Sequence, residues 1–161
     1  AACAQYVGPT IGVDVISVTL DSKRFQLWDT GGQERFAAIV PQYVRGSAII
    51  VICVEQTENE DFMLQRIYYH SKFAKQYNTE AKQIVFITKC YFKIDQSSAL
   101  LQSPFETYCV CAKANPEETR KVLTQALLSA SAQYRQTLEL QDESIRLQAQ
   151  NDRTVHLECC I

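Results

Sequence analysis

The amino-acid sequence predicts an α/β layered domain, with a mostly parallel sheet flanked by helices. Ala48–Val54 (AIIVICV) is apolar at every position and suits a strand buried on both faces, and Gln83–Thr88 (QIVFIT) is another short apolar strand. Apolar residues recur at close to helical spacing between them and again after residue 116. Strands alternating with helices in this way make a parallel sheet whose ligands bind outside the carboxyl ends of its strands.

Each element has its own warrant. Ile11–Leu20 alternates β-branched and small residues and reads as a strand. Asp21-Ser22-Lys23 is a turn, and Arg24–Trp28 (RFQLW) returns as the second strand of a hairpin. Thr30–Gln33 carries a Gly-Gly pair that breaks the pattern. Ala48–Val54 follows as a buried strand. Asp61–Tyr77 places Phe62, Met63, Ile67, Phe73 and Tyr77 near helical spacing. Gln83–Thr88 is the next strand, and Tyr108–Ala112 reads as one more. Asn115-Pro116-Glu117-Glu118 opens a helix with a cap, a first-turn proline and acids at the positive end of the dipole. Val122, Leu123, Ala126, Leu127, Ala130, Tyr134 and Leu138 line its broad apolar face. From Gln141 to Glu158 the chain turns polar and aperiodic. The expected organisation is one domain over 1–140 and a flexible tail over 141–161 that ends in a double cysteine.

Composition narrows the function. With 161 residues, 47% hydrophobic and 21% charged, the chain has the make-up of one ordinary domain with a core of its own. A formal charge of −2 leaves no surplus of Lys and Arg to neutralise phosphates, which excludes a strongly basic nucleic-acid binder. Ala48–Val54 is far too short to span a membrane, and no secretory signal opens the chain. Met63 is the sole methionine, so the sequence reads as processed or as a fragment. Seven cysteines in no paired framework imply a reducing compartment without structural disulfides. Cys109 and Cys111 lack a second pair at zinc spacing, and His70 and His156 are isolated.

The chemistry concentrates in Trp28–Phe36, WDTGGQERF. Asp29 stands at a strand end, where a carboxylate can hold Mg²⁺ through water. Gly32 lets a backbone N–H approach a phosphate closely. Gln33 can orient an attacking water. Taken alone, D-x-x-G equally fits a strand end followed by a glycine turn.

The full string resembles the switch II segment of Rab-type small GTPases, which typically reads WDTAGQERF, and departs only at Gly31. Thr10–Val15 (TIGVDV) resembles the family's switch I and following strand, and Gln42–Ser47 (QYVRGS) its YYRGA segment. Cys111-Ala112-Lys113 is similar to the SAK guanine loop, and Cys159-Cys160-Ile161 to Rab prenylation tails. The resemblance implies a P-loop small-GTPase-like fold and a switch that binds GTP or GDP with Mg²⁺ and hydrolyses GTP. Thr10 would give its hydroxyl to Mg²⁺ and its N–H to the γ-phosphate, and Asp29 would hold a Mg²⁺-bound water. Gly32 would donate its N–H to the γ-phosphate, and Gln33 would position the hydrolytic water. Lys89, Ala112 and Lys113 would line the nucleotide. Val15, Trp28 and Tyr43 stand at the positions of the aromatic triad that effectors read, with Val15 where the family usually has Phe. Cys159 and Cys160 would carry prenyl groups, which need two chains for durable anchoring. The implied setting is vesicle traffic, on the cytosolic face of endomembranes, with effectors, exchange factors and GTPase-activating proteins as partners.

Three departures stand beside this resemblance. The 161 residues contain no G-x-x-x-x-G-K-[ST], the loop that cradles the α- and β-phosphates. Thr10 comes so early that about one strand–helix unit of the family pattern, roughly 30 residues, does not precede it. The family places its first strand mid-sheet, so Arg24–Trp28 and Ala48–Val54 are expected to have open edges or a different pairing. The base motif N-K-x-D reads Thr88-Lys89-Cys90-Tyr91, and a phenol at Tyr91 cannot accept two guanine hydrogen bonds as a carboxylate does. Val15–Trp28 and Tyr91–Phe105 are short against the family, the latter where a helix is normally found. The expectation is therefore a Rab-like GTPase with impaired nucleotide binding in this chain. The alternative is a nucleotide-free module that binds proteins through its switch surface.

Overall fold

The computed structural model describes residues 8–33, 35, 37–91, 94–95, 97–141 and 154–159, with 139–141 and 154–159 described by backbone alone. Two strands, β1 (Val13–Leu20) and β2 (Lys23–Thr30), form the expected hairpin. Asp21 and Ser22 both have positive φ, 46° and 60°. That is the backbone of a two-residue turn whose twist matches its strands. The short helix α1 (Val40–Val44) leads into strand β3 (Ile49–Glu55). Helix α2 (Glu60–Tyr77) opens with the Asn59 side chain accepting from the Phe62 N–H at 2.9 Å, and Glu60 and Asp61 occupy its first turn. Strands β4 (Lys82–Thr88) and β5 (Glu106–Cys109) come next. Helix α3 (Pro116–Gln141) begins at the proposed proline. A final strand, β6, spans Thr154–Cys159.

The sheet order is β1-β2-β6-β3-β4-β5. Every neighbouring pair is parallel except the β1–β2 hairpin. Strand β6 lies between β2 and β3, with Leu157 opposite Asp29 on one side and Val51 on the other. The two edges that the sequence leaves facing each other are thus joined by the chain's own C-terminal segment. The expected tail departs from the structure at these six residues. Open N–H and C=O rows in the middle of a sheet demand partners, and a short segment rich in Thr, Val and Leu meets that demand despite its polar surroundings. One further expectation changes: the strand read at Tyr108–Ala112 is Glu106–Cys109. The described residues of 91–105, a stretch short against the family, hold no helix.

Helices cover both faces. On one, Ile50, Ile52, Val54, Val85 and Ile87 pack under Met63, Ile67 and Ala74 of α2. On the other, Phe25, Leu27, Ile49, Val51, Ile84 and Phe86 pack under Ala126, Leu127 and Ala130 of α3. Alternate residues of β3 feed the two cores, which is why its sequence is apolar throughout. No described helix is long and apolar enough to cross a membrane.

Candidate functional site

The carboxyl ends of β2, β3 and β4 lie along one edge of the sheet, because these strands run parallel. Val13, which starts the antiparallel β1, is paired with Thr30, so Thr10–Gly12 arrive at the same edge. There the Thr10 hydroxyl donates to Asp29 Oδ2 at 2.6 Å. Gly12, at φ 77°, turns the chain so that its carbonyl accepts the Gly31 N–H at 2.8 Å. Gly31 is buried, whereas Gly32 is exposed and Gln33 half-exposed just beyond it. The two residues expected to serve Mg²⁺ are therefore in direct contact, next to the residues expected to serve a phosphate and a water. Within the WDTGGQERF string, Glu34 and Phe36 lie outside the described residues.

The remaining expected site residues occupy the same edge or the face beside it. Lys89, directly after β4, has φ 54°. A left-handed backbone at a residue other than Gly, Asn or Asp is uncommon and clusters at functional sites. Its ammonium pairs with Glu55, the last residue of β3, at 3.0 Å. Tyr91 donates its N–H to Gln56 Oε1 at 3.0 Å and leaves its ring 64% exposed. Ala112 and Lys113 are exposed in the loop between β5 and α3. Val15 sits opposite Trp28 in the hairpin, so both point to one face. The Trp28 ring meets Tyr43 with centroids 5.0 Å apart. The indole Nε1 is buried without a hydrogen-bond partner. Cys159 ends β6 at the same edge, in register with Cys53, and Cys160 lies outside the described residues.

Sequence reasoning missed three supporting residues. Glu55 holds Lys89, and its signal was a lone carboxylate closing an apolar strand. Gln56 fixes the start of the Tyr91 segment. Asn78 caps α2 and donates to the carbonyls of Val44 and Ser47, each at 2.9 Å, which fixes the QYVRGS turn. A recess of about 530 Å³ lies at the opposite edge, lined by Lys72, Lys75, Lys82, Phe105 and Tyr134 among others. It is large but stands at the amino end of β4, not where open parallel sheets hold their ligands.

The hydroxyl of Thr10 and the carboxylate of Asp29 are both hard oxygen donors, and such a pair suits Mg²⁺ that keeps several waters and phosphate oxygens. No group of three or more His, Cys, Asp or Glu among the described residues could hold a metal unaided. The donor set thus fits an ion brought with a nucleotide better than one held in a protein cage.

A parallel sheet covered by helices on both faces, with a D-x-x-G turn and a Thr–Asp contact at its carboxyl edge, defines the class of Ras-superfamily GTPase domains. Residues 2–91 match the family described as Ras of Complex, Roc, domain of DAPkinase, and the chain belongs to that family. The chain is also 42% identical over 60 residues to Ras-related protein Rab-22A of Mus musculus and to that of Homo sapiens. The match covers 35% of this chain and 31% of each relative's length. The Rab-type small GTPase resemblance therefore stands.

Proposed function

We propose that the chain is a Rab-type switch domain whose carboxyl edge senses the γ-phosphate of GTP, and that its nucleotide binding is weaker than micromolar. The observation that carries this is the Thr10–Asp29 contact beside Gly32 and Gln33. In this reading Thr10 and Asp29 hold Mg²⁺, the Gly32 N–H donates to the terminal phosphate, and Gln33 orients the water that attacks it in line. Bound Mg²⁺ supplies charge neutralisation at the phosphates. Lys89, held by Glu55, lies along the base, while Ala112 and Lys113 border it. Two features weaken binding. No G-x-x-x-x-G-K-[ST] supplies backbone donors to the α- and β-phosphates. Tyr91 offers guanine no carboxylate, which lowers discrimination against adenine. The role is a switch in vesicle traffic on cytosolic endomembrane surfaces, regulated by exchange factors and GTPase-activating proteins. Prenyl groups on Cys159 and Cys160 attach it to the membrane, which requires β6 to leave the sheet.

Trp28 is the sole tryptophan and adjoins Asp29, so its emission reports on the site. Millimolar Mg²⁺·GTP should change it more than Mg²⁺·GDP, ATP should act nearly as well as GTP, and Asp29→Ala should remove the triphosphate preference. A response that ignores Mg²⁺ and survives Asp29→Ala would contradict the reading.

A second reading draws on a separate observation. Val15, Trp28 and Tyr43 are assembled by the hairpin register and by ring contact, independently of the base-site residues. Such a face can bind a protein partner without nucleotide. Total absence of any response to millimolar nucleotide, with partner binding retained, would favour this reading over the first.

A further inference from the structure

Three of the described free cysteines, Cys90, Cys109 and Cys111, line one recess of about 150 Å³ beside Glu118 and Thr119 of α3. They meet because of the backbone. Strand β5 ends with Cys109 opposite Ile87. The ladder continues past it, with the Val110 N–H on the Ile87 carbonyl at 2.9 Å and the Cys90 N–H on the Val110 carbonyl at 3.1 Å. Lys89, at φ 54°, turns the chain so that Cys90 comes over the end of β5. The Cys90 and Cys109 thiols face one recess and influence each other's ionisation. Cys90 also reaches the Ile87 carbonyl at 3.3 Å. Cys109 is exposed, Cys90 half-buried and Cys111 buried. The three do not make a metal set among the described residues, so their chemistry is that of thiols.

We propose that Cys90 and Cys109 are a peroxide-reactive thiol pair, with Cys109 as the attacking sulfur and Cys90 as the resolving one. The Cys109 thiolate attacks the outer oxygen of a small hydroperoxide. The O–O bond breaks, and the leaving alkoxide or hydroxide takes a proton from solvent. Cys109 is then a sulfenic acid, oxidised by two electrons, and the peroxide is reduced to an alcohol or water. Cys90 gives up its proton and its sulfur attacks that of Cys109. The S–O bond breaks, and the departing hydroxide leaves as water with that proton. In total, two thiols and one hydroperoxide become one disulfide, one alcohol or water, and one further water.

The division of roles follows the surroundings. The neighbouring Cys90 thiol brings the Cys109 thiol down to about 7, against the opposing effect of burial. Cys109, burial and the nearby Cys111 together push Cys90 far up. Glu118 from α3 is the charged group that lines the recess, while the Lys89 ammonium next to Cys90 is paired with Glu55. The inference does not depend on whether the sheet edge takes a nucleotide.

The test uses the full 161-residue chain. Stoichiometric hydrogen peroxide followed by alkylation and tryptic mapping should join the peptide beginning at Cys90 to the one containing Cys109. The link should persist in Cys111→Ser. Cys90→Ala should halt the reaction at a Cys109 sulfenic acid that dimedone captures. It should also move the midpoint of Cys109 alkylation from near pH 7 toward the ordinary 9.0. At pH 7.4 that shift lowers the thiolate fraction about 30-fold but raises intrinsic nucleophilicity about eightfold, so the rate should fall about fourfold. A chain in which peroxide leaves both thiols free, or links Cys109 to a cysteine other than Cys90, overturns the proposal. Alkylation of wild-type Cys109 with a midpoint near pH 9 does so equally, without recourse to any variant.

Discussion

Leu157→Pro places a proline in the middle of β6. Leu157 lies opposite Asp29 on β2 and Val51 on β3. A parallel strand holds φ near about −120°, whereas proline fixes it near about −65° and has no N–H to donate. One ladder acceptor between β2 and β3 loses its partner, at about 1–3 kcal/mol. The ring and the φ change bring the total to about 3 kcal/mol or more, as for proline inside any central element. A domain of this size has only about 5–15 kcal/mol of stability, so the substitution removes a large share. With a urea slope of about 1–3 kcal/mol per molar, the midpoint should fall by roughly 1–3 M. Leu157→Ala keeps the N–H and isolates the part due to the side chain. Amide exchange on the parent chain supplies the second readout, since residues 154–159 should be protected together with β3. The reasoning fails if the proline and alanine variants share a midpoint and the amides of 154–159 exchange at unfolded-chain rates.

Three more outcomes are expected. Asn78→Ala removes two 2.9 Å bonds to Val44 and Ser47 and the acceptor for the Glu80 and Ala81 N–H groups at 3.1 Å. The loss of about 2–3 kcal/mol should lower the melting temperature by about 5–10 °C, measured by circular dichroism. Glu106 is pushed up by burial, but hydrogen bonds from Tyr108 and Gln133 and the Lys82 charge at 3.4 Å outweigh this and hold it below its ordinary value. Its contribution to stability is therefore full above the unfolded value near 4.5 and lost as pH falls through the folded one, so Glu106→Gln should flatten the acid limb of a denaturation series. Thr10→Ala deletes the hydroxyl on Asp29 and should reduce the Mg²⁺-dependent Trp28 response while lowering stability by no more than about 1–2 kcal/mol.

Much of the fold was legible because its signals are local. The Asp21-Ser22 turn, the doubly buried Ile49–Glu55 and Lys82–Thr88 strands, and the Pro116 helix start each follow from a few adjacent residues. Strand β6 was not legible, because Thr154–Cys159 has no pattern of its own strong enough to stand out from a polar context. Its place is set by two open edges more than a hundred residues earlier in the chain. The Thr10–Asp29 pairing was expected only through family resemblance, since nothing local in either segment refers to the other. The Lys89–Glu55 bridge and the Cys90–Cys109 contact are products of strand order, and spacing alone does not encode it. The effector-like face is intermediate. Its members were named from the family resemblance, while the Val15–Trp28 register came from the hairpin.

The claim that the carboxyl edge is a γ-phosphate sensor is tested most directly by amide chemical-shift mapping of the 161-residue chain with millimolar nucleotide and Mg²⁺. The account predicts that GTP perturbs residues 10–12 and 29–33 together, that GDP perturbs them far less, and that Asp29→Ala erases the difference. Equal perturbation by the two nucleotides, or perturbation confined to the Lys72–Lys82 recess at the opposite edge, would contradict it.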